Sequence, residues 1–200
     1  MKTVALIAAA GLTTVASAQN VDSLVISLTW DKTTIAIGET ATATITSTHV
    51  GPAGSYLTVF AANLHASAEV VSVDYIAPVA WNQELSGLSG QGVASGASIM
   101  GLNAGQNSLL GAIDSSNPLL VTTFTVTGTA EGVLTYTAEA SVPPNGAWAI
   151  IGKGNPIGPE FPANWFSTDV LQSQALTVVP APSAMALLGL GGLVAGRRRR

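Results

Sequence analysis

The most regular stretch of the chain, residues 40–48, has the sequence TATATITST, in which threonine occupies every second position. Successive side chains of an extended strand point to opposite faces, so this stretch has one mostly apolar face and one face of hydroxyls. Shorter runs of the same kind recur between breaks rich in Gly, Pro, Asn and Asp, which is typical of an all-β chain. The pattern predicts strands near residues 24–30, 40–48, 56–64, 69–76, 97–102, 109–113, 119–127, 133–141 and 170–179. Residues 35–37 lead through a turn into the second of these, and residues 143–162 are rich in Pro and Gly.

The spacing of these segments predicts the fold class. No amphipathic helix longer than about two turns separates them, and a parallel sheet would need such helices as crossover connections. We therefore expect residues 19–178 to form one all-β domain, a single antiparallel β-sandwich of about nine strands. Residues 77–107 contain six glycines, so there we expect long loops around one or two short strands.

Three segments of this domain resemble sandwiches of the cohesin and carbohydrate-binding-module type, which are immunoglobulin-like in layout. A Gly-Glu-Thr turn at residues 38–40 follows the early strands, Val-Val-Ser-Val-Asp occupies residues 70–74, and TFTVTGTAEG occupies residues 123–132. The resemblance implies a binding domain, and it implies either a dockerin-like protein module or an extracellular polysaccharide as the partner.

The first 18 residues have the parts of a secretory signal peptide. Lys2 provides a short positive start, and residues 3–15 are uncharged and mostly apolar. The Ala-Ser-Ala sequence at residues 16–18 is the small-residue pattern that a signal peptidase recognises. We predict cleavage after Ala18, so that the mature chain begins near Gln19. The alternative is a buried N-terminal helix, which this order and length of segments disfavour.

Residues 179–200 also divide into three parts: a proline box, an uncharged apolar run and an arginine cluster. As a helix the run would be about 20 Å long, which is marginal for a bilayer core of about 30 Å. The arginines would keep that end in the cytoplasm and leave the domain outside. A basic nucleic-acid-binding tail is the alternative, but it does not explain the apolar run. The three parts consist of Val179, Pro180 and Pro182, of residues 184–196, and of Arg197, Arg198, Arg199 and Arg200.

This tail resembles the PEP-CTERM sorting signal of Gram-negative-type bacteria. The resemblance implies an exosortase-like membrane enzyme that cleaves near the box, and therefore transient anchoring in the inner membrane with a cytoplasmic C-terminus. It also implies a final place at the cell surface or in an extracellular matrix, in association with polysaccharide and biofilm. The family's usual Glu between the two prolines is Ala181 in this chain.

The net charge and the absence of cysteine exclude several classes of function. The part between the two terminal segments contains two basic residues, Lys32 and Lys153, and all eleven acidic residues of the chain. Its net charge is therefore −9. A domain this acidic lacks the positive charge that attracts nucleic acid. The chain has no cysteine, which excludes disulfides, thiol catalysis and cysteine-bound metal. Its fold must therefore rest on an apolar core.

Residues 114–117, Asp-Ser-Ser-Asn, are a candidate calcium site. The oxygens of Asp114 and Asn117 are of the kind that Ca²⁺ prefers. The favoured alternative is a turn stabilised by the Asp side chain before Pro118. We expect no other cofactor.

Aromatic residues late in the chain are a candidate sugar-binding strip. Trp148, Trp165 and Phe166 lie in a Pro- and Gly-rich stretch with three asparagines nearby. Their rings are able to stack on sugar rings, but packing against the edge of the sandwich is the favoured alternative because Trp is usually mostly buried. Trp30, on a predicted strand, is expected in the core.

No catalytic motif occurs in the sequence. His49 and His65 have no carboxylate at motif spacing, and we expect both on the surface. Glycoside hydrolysis needs two opposed carboxylates, and eleven acids leave that possibility open. The sequence therefore favours an exported, non-enzymatic surface or matrix protein. The alternative is a secreted carbohydrate-active hydrolase.

Overall fold

A computed structural model describes residues 23–50, 54–83, 90–106, 110–141, 149–153, 164–166 and 171–181, with only the backbone considered at 149–153 and 164–166. These ranges contain fourteen strands. The strands are β1 (Ser23–Trp30), β2 (Thr34–Ala36), β3 (Thr40–Val50), β4 (Ser55–Ala66), β5 (Val71–Ile76), β6 (Gly90–Ser95), β7 (Ser98–Gly105), β8 (Leu119–Gly128), β9 (Gly132–Leu134), β10 (Tyr136–Ala140), β11 (Ala149–Lys153), β12 (Asn164–Phe166), β13 (Leu171–Ser173) and β14 (Leu176–Val179).

Two large sheets and one small sheet make up the domain. The β3 sheet has the order β13-β1-β3-β8-β5, and the β4 sheet has the order β12-β11-β4-β7-β6, with β10 also paired to β4. The small sheet has the order β2-β14-β9. Most neighbouring strands are antiparallel, and the two large sheets pack face to face. The predicted all-β sandwich is therefore confirmed.

Two features differ from the predicted layout. The strand number is fourteen rather than about nine, partly because predicted strands divide between sheets: segment 133–141 becomes β9 and β10, and segment 170–179 becomes β13 and β14. In addition, β13 runs parallel to β1 and β14 runs parallel to β2. The parallel pairs arise because the last described segment returns beside the first strands.

Gln174 marks the point where that returning segment changes sheet. Its side-chain oxygen accepts a hydrogen bond from the Trp30 backbone at 2.9 Å, and its carbonyl accepts one from the Trp30 indole at 3.0 Å. These bonds hold the chain between β13 and β14 against the end of β1.

The prediction of a strand at residues 109–113 is wrong for the part that the structure describes. Residues 110–113 form a turn and irregular backbone. The buried side chain of Gln106 explains this loop, because it donates to the carbonyl of Asp114 and accepts from its amide, both at 2.9 Å. These two bonds hold Asp114 beside Gln106, at the end of β7.

The glycine-rich segment before it is more regular than predicted. β6 and β7 form a hairpin there. Gly92 and Gly101 adopt positive φ values of 82° and 68°, which glycine tolerates without steric cost. At Gly92 an added Cβ would also lie 2.8 Å from Ile99. The glycines thus allow β6 and β7 to pair, although irregularly, in a segment where a loop was predicted.

The core lies between the two large sheets, as the alternation predicts. In β3, Ala41, Ala43 and Ile45 are buried, and the threonines between them lie on the outer face. Trp30 is buried, which confirms the prediction for that residue. Its ring meets Phe124 edge-on at a centroid distance of 5.8 Å, and Phe124 meets Tyr136 at 5.6 Å. Such edge-to-face pairs add to the stability that burial alone provides.

Two side chains fix the turn of the β6–β7 hairpin from opposite sides. The carboxylate of Glu69 accepts from the Ala97 amide at 2.7 Å, and the Tyr136 hydroxyl donates to the Ala97 carbonyl at 2.7 Å. Burial raises the pKa of Tyr136, and the charge of Glu69 raises it further. The phenol therefore stays protonated and keeps donating at any ordinary pH.

Replacing Tyr136 with Phe tests this clamp. The change removes the hydroxyl and leaves the buried Ala97 carbonyl without its donor, which we expect to cost about 1–3 kcal/mol of unfolding free energy. Urea denaturation followed by tryptophan fluorescence measures the change. Thr137→Val, at the neighbouring exposed position of β10, is the matched control. An unfolding free energy of Tyr136→Phe equal to that of the wild type would contradict the role of the clamp.

Candidate functional site

The outer face of the β4 sheet presents a mixed set of side chains. Val93 of β6 pairs with Met100 of β7, and Asn63 of β4 pairs with Glu139 of β10. Asn63 lies at the register shift between β4 and β7, where it bonds to Gly101, the residue after Met100. Val93 is 72% exposed, whereas Met100 and Asn63 are half-buried. We call this surface the β4 face, and it consists of Asn63, His65, Val93, Met100, Asn103 and Glu139.

Hydrogen bonds hold the polar members of the β4 face in place. The Asn63 side-chain oxygen accepts from the Gly101 amide at 2.8 Å, at an irregularity in the pairing of β4 with β7. The Ser141 hydroxyl donates to the side-chain oxygen of Asn103. Because these amides are fixed by their neighbours, the face is largely preorganised.

His65 and Glu139 form a hydrogen-bonded pair on this face. Their side chains are 3.0 Å apart, 42% and 67% exposed, and contributed by the paired strands β4 and β10. The expected surface position of His65 is therefore correct. Its carboxylate partner was missed because it lies 74 residues away in sequence. An exposed pair of this kind contributes little stability, so the imidazole and the carboxylate remain available to a partner.

The outer face of the β3 sheet is chemically different. Thr44 of β3 lies opposite Thr29 of β1 and Thr123 of β8, and further threonine and serine pairs continue the array in both directions. Val50, Tyr75 and Leu120 are its exposed large apolar residues. This face has hydroxyls and methyl groups but hardly any charge.

His49 is placed differently from the expectation. It is only 8% exposed, and its Nε2–H donates to the Ser55 carbonyl at 3.2 Å. Its backbone is held by Asn117, whose side chain accepts from the His49 amide at 3.1 Å and donates to its carbonyl at 2.6 Å. The surface prediction for His49 is therefore wrong. Residue 49 occupies an inward position of β3, and the side chain follows from that register.

The surroundings of His49 form a polar layer at one end of the core. The inward positions of β3 change from Ala43 and Ile45 to Ser47 and His49. Ser47, Ser55 and Thr58 are buried, and within the described part of the chain their hydroxyls have no hydrogen-bond partner. Unsatisfied buried hydroxyls cost stability. Burial also lowers the pKa of His49, and the bond to Ser55 only partly offsets that effect.

The candidate calcium residues lie in an exposed turn. The Asp114 carboxylate accepts from the Ser116 amide at 3.0 Å, which is the geometry of an Asx turn. The hydroxyl of Ser116 lowers the pKa of Asp114, and its amide lowers it further. The side-chain oxygen of Asn117 already accepts from His49. No cluster of three or more acidic or His side chains suited to a metal occurs in the described ranges.

Most carboxylates in the described ranges hold the backbone or a neighbour. Six of the seven accept a hydrogen bond, namely Asp31 from Thr42, Glu39 from Ala36, Glu69 from Ala97, Asp74 from Thr127, Asp114 from Ser116 and Glu139 from His65. Glu39 and Asp31 thus act at turns beside β2 and β3. These hydrogen bonds give the six carboxylates a structural role.

Several of the candidate functional residues lie wholly or partly outside the part of the chain that the structure describes. Trp148 and residues 1–18 and 182–200 lie outside the described residues, and for Trp165 and Phe166 only the backbone is described, in the edge strand β12. Val179 and Pro180 are described, and Val179 ends β14. The part of the chain that the structure covers has no helix long and apolar enough to span a bilayer.

Comparison with solved structures identifies cohesin modules as similar folds. The seventh ScaB type I cohesin from Pseudobacteroides cellulosolvens matches with a TM-score of 0.50 and 13% identity, over 78% of this chain and 94% of that one. The sixth scaffoldin B cohesin from Acetivibrio cellulolyticus, in complex with a Cel5 dockerin mutant, matches with a TM-score of 0.50 and 8% identity, over 78% and 99%. No family model and no curated protein matches the sequence. The similarity at this identity concerns the fold.

The buried His49 predicts how stability depends on pH. Its folded pKa is below the ordinary value of 6.5, so the unfolded chain binds the proton more readily. Stability is therefore complete above about pH 6.5 and falls as the pH decreases, by up to about 1.4 kcal/mol per pH unit. Melting temperatures of the wild type and of His49→Gln between pH 7.5 and pH 5 measure the effect, which the variant should largely lack.

His65→Gln is the matched control, because it removes the exposed imidazole and leaves His49 unchanged. We expect it to melt with the same pH dependence as the wild type. Identical pH profiles for His49→Gln and the wild type would show that protonation of His49 does not destabilise the fold.

Proposed function

We propose that this chain is an exported, non-catalytic binding module that docks a protein partner through the β4 face. The observation that carries the proposal is the composition of that face. It combines an exposed valine and a half-buried methionine with fixed amides and an exposed pair of His65 with Glu139. Docking surfaces commonly place apolar residues among polar groups in this way, with methionine enriched.

The fold supports a protein partner. A cohesin of similar fold is in complex with a dockerin, and we infer that this chain likewise binds a small protein module. The outer face of the β3 sheet is less suited to docking a protein than the β4 face. Its threonine array has neither a His–Glu pair nor a comparable set of fixed amides. A dockerin-like module is therefore the partner that we propose first. Extracellular polysaccharide remains the second, through Trp148, Trp165 and Phe166.

Export and sorting belong to the same proposal. A signal peptide at residues 1–18 would direct the domain out of the cytoplasm, and residues 179–200 would hold it in the inner membrane until an exosortase-like enzyme acts. That enzyme would break one peptide bond near the proline box, with water or an amine accepting the acyl group. The product would be a domain at the cell surface or in the extracellular matrix.

A photo-crosslinking amino acid placed at residue 100 tests the docking proposal. We expect it to capture a discrete protein on cells that display the domain, because Met100 lies at the centre of the β4 face. The same amino acid at residue 44, on the β3 sheet, is the control and should capture none. Asn63→Lys should lower capture at residue 100 by about tenfold, since it places an unpaired charge in the interface.

Two outcomes would contradict this docking proposal. Equal capture at residues 44 and 100 would show that the β4 face is not special, and undiminished capture in Asn63→Lys would show that the contact lies elsewhere. Gel separation followed by mass spectrometry of the crosslinked band makes both outcomes visible.

The termini of the exported protein test the sorting proposal. Mass spectrometry of cell-surface material should find Gln19 as the first residue and a last residue near Pro182, with the arginines absent. Replacing Arg197, Arg198, Arg199 and Arg200 with neutral residues should reduce membrane retention, because those charges set the orientation. Surface protein that still begins at Met1, or that keeps the arginines, would contradict it.

A further inference from the structure

The last described residues directly follow β14, the most buried strand of the small sheet. β14 lies between β2 and β9, and its residues Leu176 and Val178 are fully buried. The next residue, Val179, accepts a hydrogen bond from the Ile37 amide at 2.9 Å. Val179 is the first residue of the predicted box. The folded domain and the predicted box therefore share a residue, and no spacer separates them.

Exposed apolar side chains surround this exit point. Ile37, Val133 and Val179 are 39%, 56% and 36% exposed. Ile37 directly follows β2, and Val133 belongs to β9, so they lie on either side of β14. Three of the large apolar residues that the described surface exposes are thus gathered on the small sheet.

Acidic residues lie at the same end of the small sheet. Gly132 pairs with Val178, which puts the preceding residue, Glu131, level with Val179. On the other side, the Glu39 carbonyl accepts from Gly128 at 3.0 Å, close to the start of the turn that contains Glu131. The ammonium of Lys32 donates to the Thr40 carbonyl at 3.1 Å, so one cation also lies next to Glu39. Two carboxylates against this one ammonium still leave the exit point acidic, and the excess negative charge lies on the side of Glu131.

We propose that this exit face, formed by Ile37, Glu39, Glu131, Val133 and Val179, is the docking surface for the enzyme that processes the tail. The inference rests on the proposed sorting function. An enzyme that cuts near the box must hold residues on both sides of the bond, and on the domain side those residues belong to β14. It therefore has to contact the strands beside β14.

The exit face also defines the chemistry of that enzyme's surface. An apolar contact would cover Val133 and Ile37, and basic side chains beside it would complement Glu131 and Glu39. Anionic lipid headgroups fit this face poorly, because they would meet carboxylates. The partner is therefore a membrane protein with an apolar patch and a basic rim on its outer side.

Charge reversal at Glu131 tests the proposal in the cells that produce the protein. A pulse-chase experiment with intact-mass detection measures how fast the tail is removed. We expect Glu131→Lys to slow removal by about tenfold, because like charges then meet in the contact. Val133→Thr should slow it several-fold with little change in side-chain volume. Glu39 is left unchanged, since its carboxylate holds the Ala36 amide at 2.9 Å.

Matched controls carry the same chemical changes on the β3 sheet. Asp74→Lys repeats the charge reversal on β5, and Leu120→Thr repeats the exposed apolar-to-threonine change on β8. Both should be processed at the wild-type rate. Thermal melting of each purified variant separates loss of docking from loss of folding.

A spacer provides an independent measurement. Inserting Gly-Ser-Gly-Val after Val179 keeps a Val-Pro pair but moves the box away from the exit face. We expect slower tail removal that no longer responds to Glu131→Lys. Wild-type rates for Glu131→Lys, Val133→Thr and the spacer variant would overturn the docking surface and leave the sorting function intact. A wild-type tail that is never removed would overturn the sorting function and the docking surface together.

Discussion

Burial of alternate side chains between two sheets is the interaction on which the rest of the structure depends. With no cysteine in the chain, no disulfide helps to hold the sheets together. The pairing of β3 shows how exact the burial is, because Ala43 lies opposite Trp30 on one side and Phe124 on the other. A small residue between two large ones lets their rings meet at 5.8 Å. A shift of one residue would expose all three.

Alternation along the chain was sufficient to predict most strands, and therefore the fold class, because burial on one face has a period of two residues. It was not sufficient to predict which sheet a strand joins. That choice depends on side chains that bond to backbone far away in sequence: Gln174 with Trp30, Asn117 with His49, and Glu69 with Ala97. Such bonds have no local periodicity, so the divided strands and the loop after Gln106 had no signal in the pattern. The burial of His49 did have one, because residue 49 continues the inward positions of β3 beyond Ser47.

The β4 face was unpredictable for a related reason. Asn63, Met100 and Glu139 come from three separate segments, and only the register of β4 with β7 and β10 makes them neighbours. Sequence reasoning could recognise contiguous candidates, such as the terminal segments or the turn at Asp114. It could not recognise a surface whose members are individually ordinary. The Asx turn at Asp114 was predictable because its hydrogen bond joins residues only two apart.

The two proposed surfaces are compatible on one domain because they share no residue. The exit face belongs to the small sheet, around β14, whereas the β4 face belongs to a large sheet of the sandwich. Five residues extended from Val179 reach at most about 18 Å, so an apolar segment beginning at residue 184 would keep the exit face close to the membrane while it is inserted. The domain could then meet the processing enzyme through one surface and keep the other for its partner. Release from the membrane would leave β14 in place, since its burial in the small sheet does not depend on the tail.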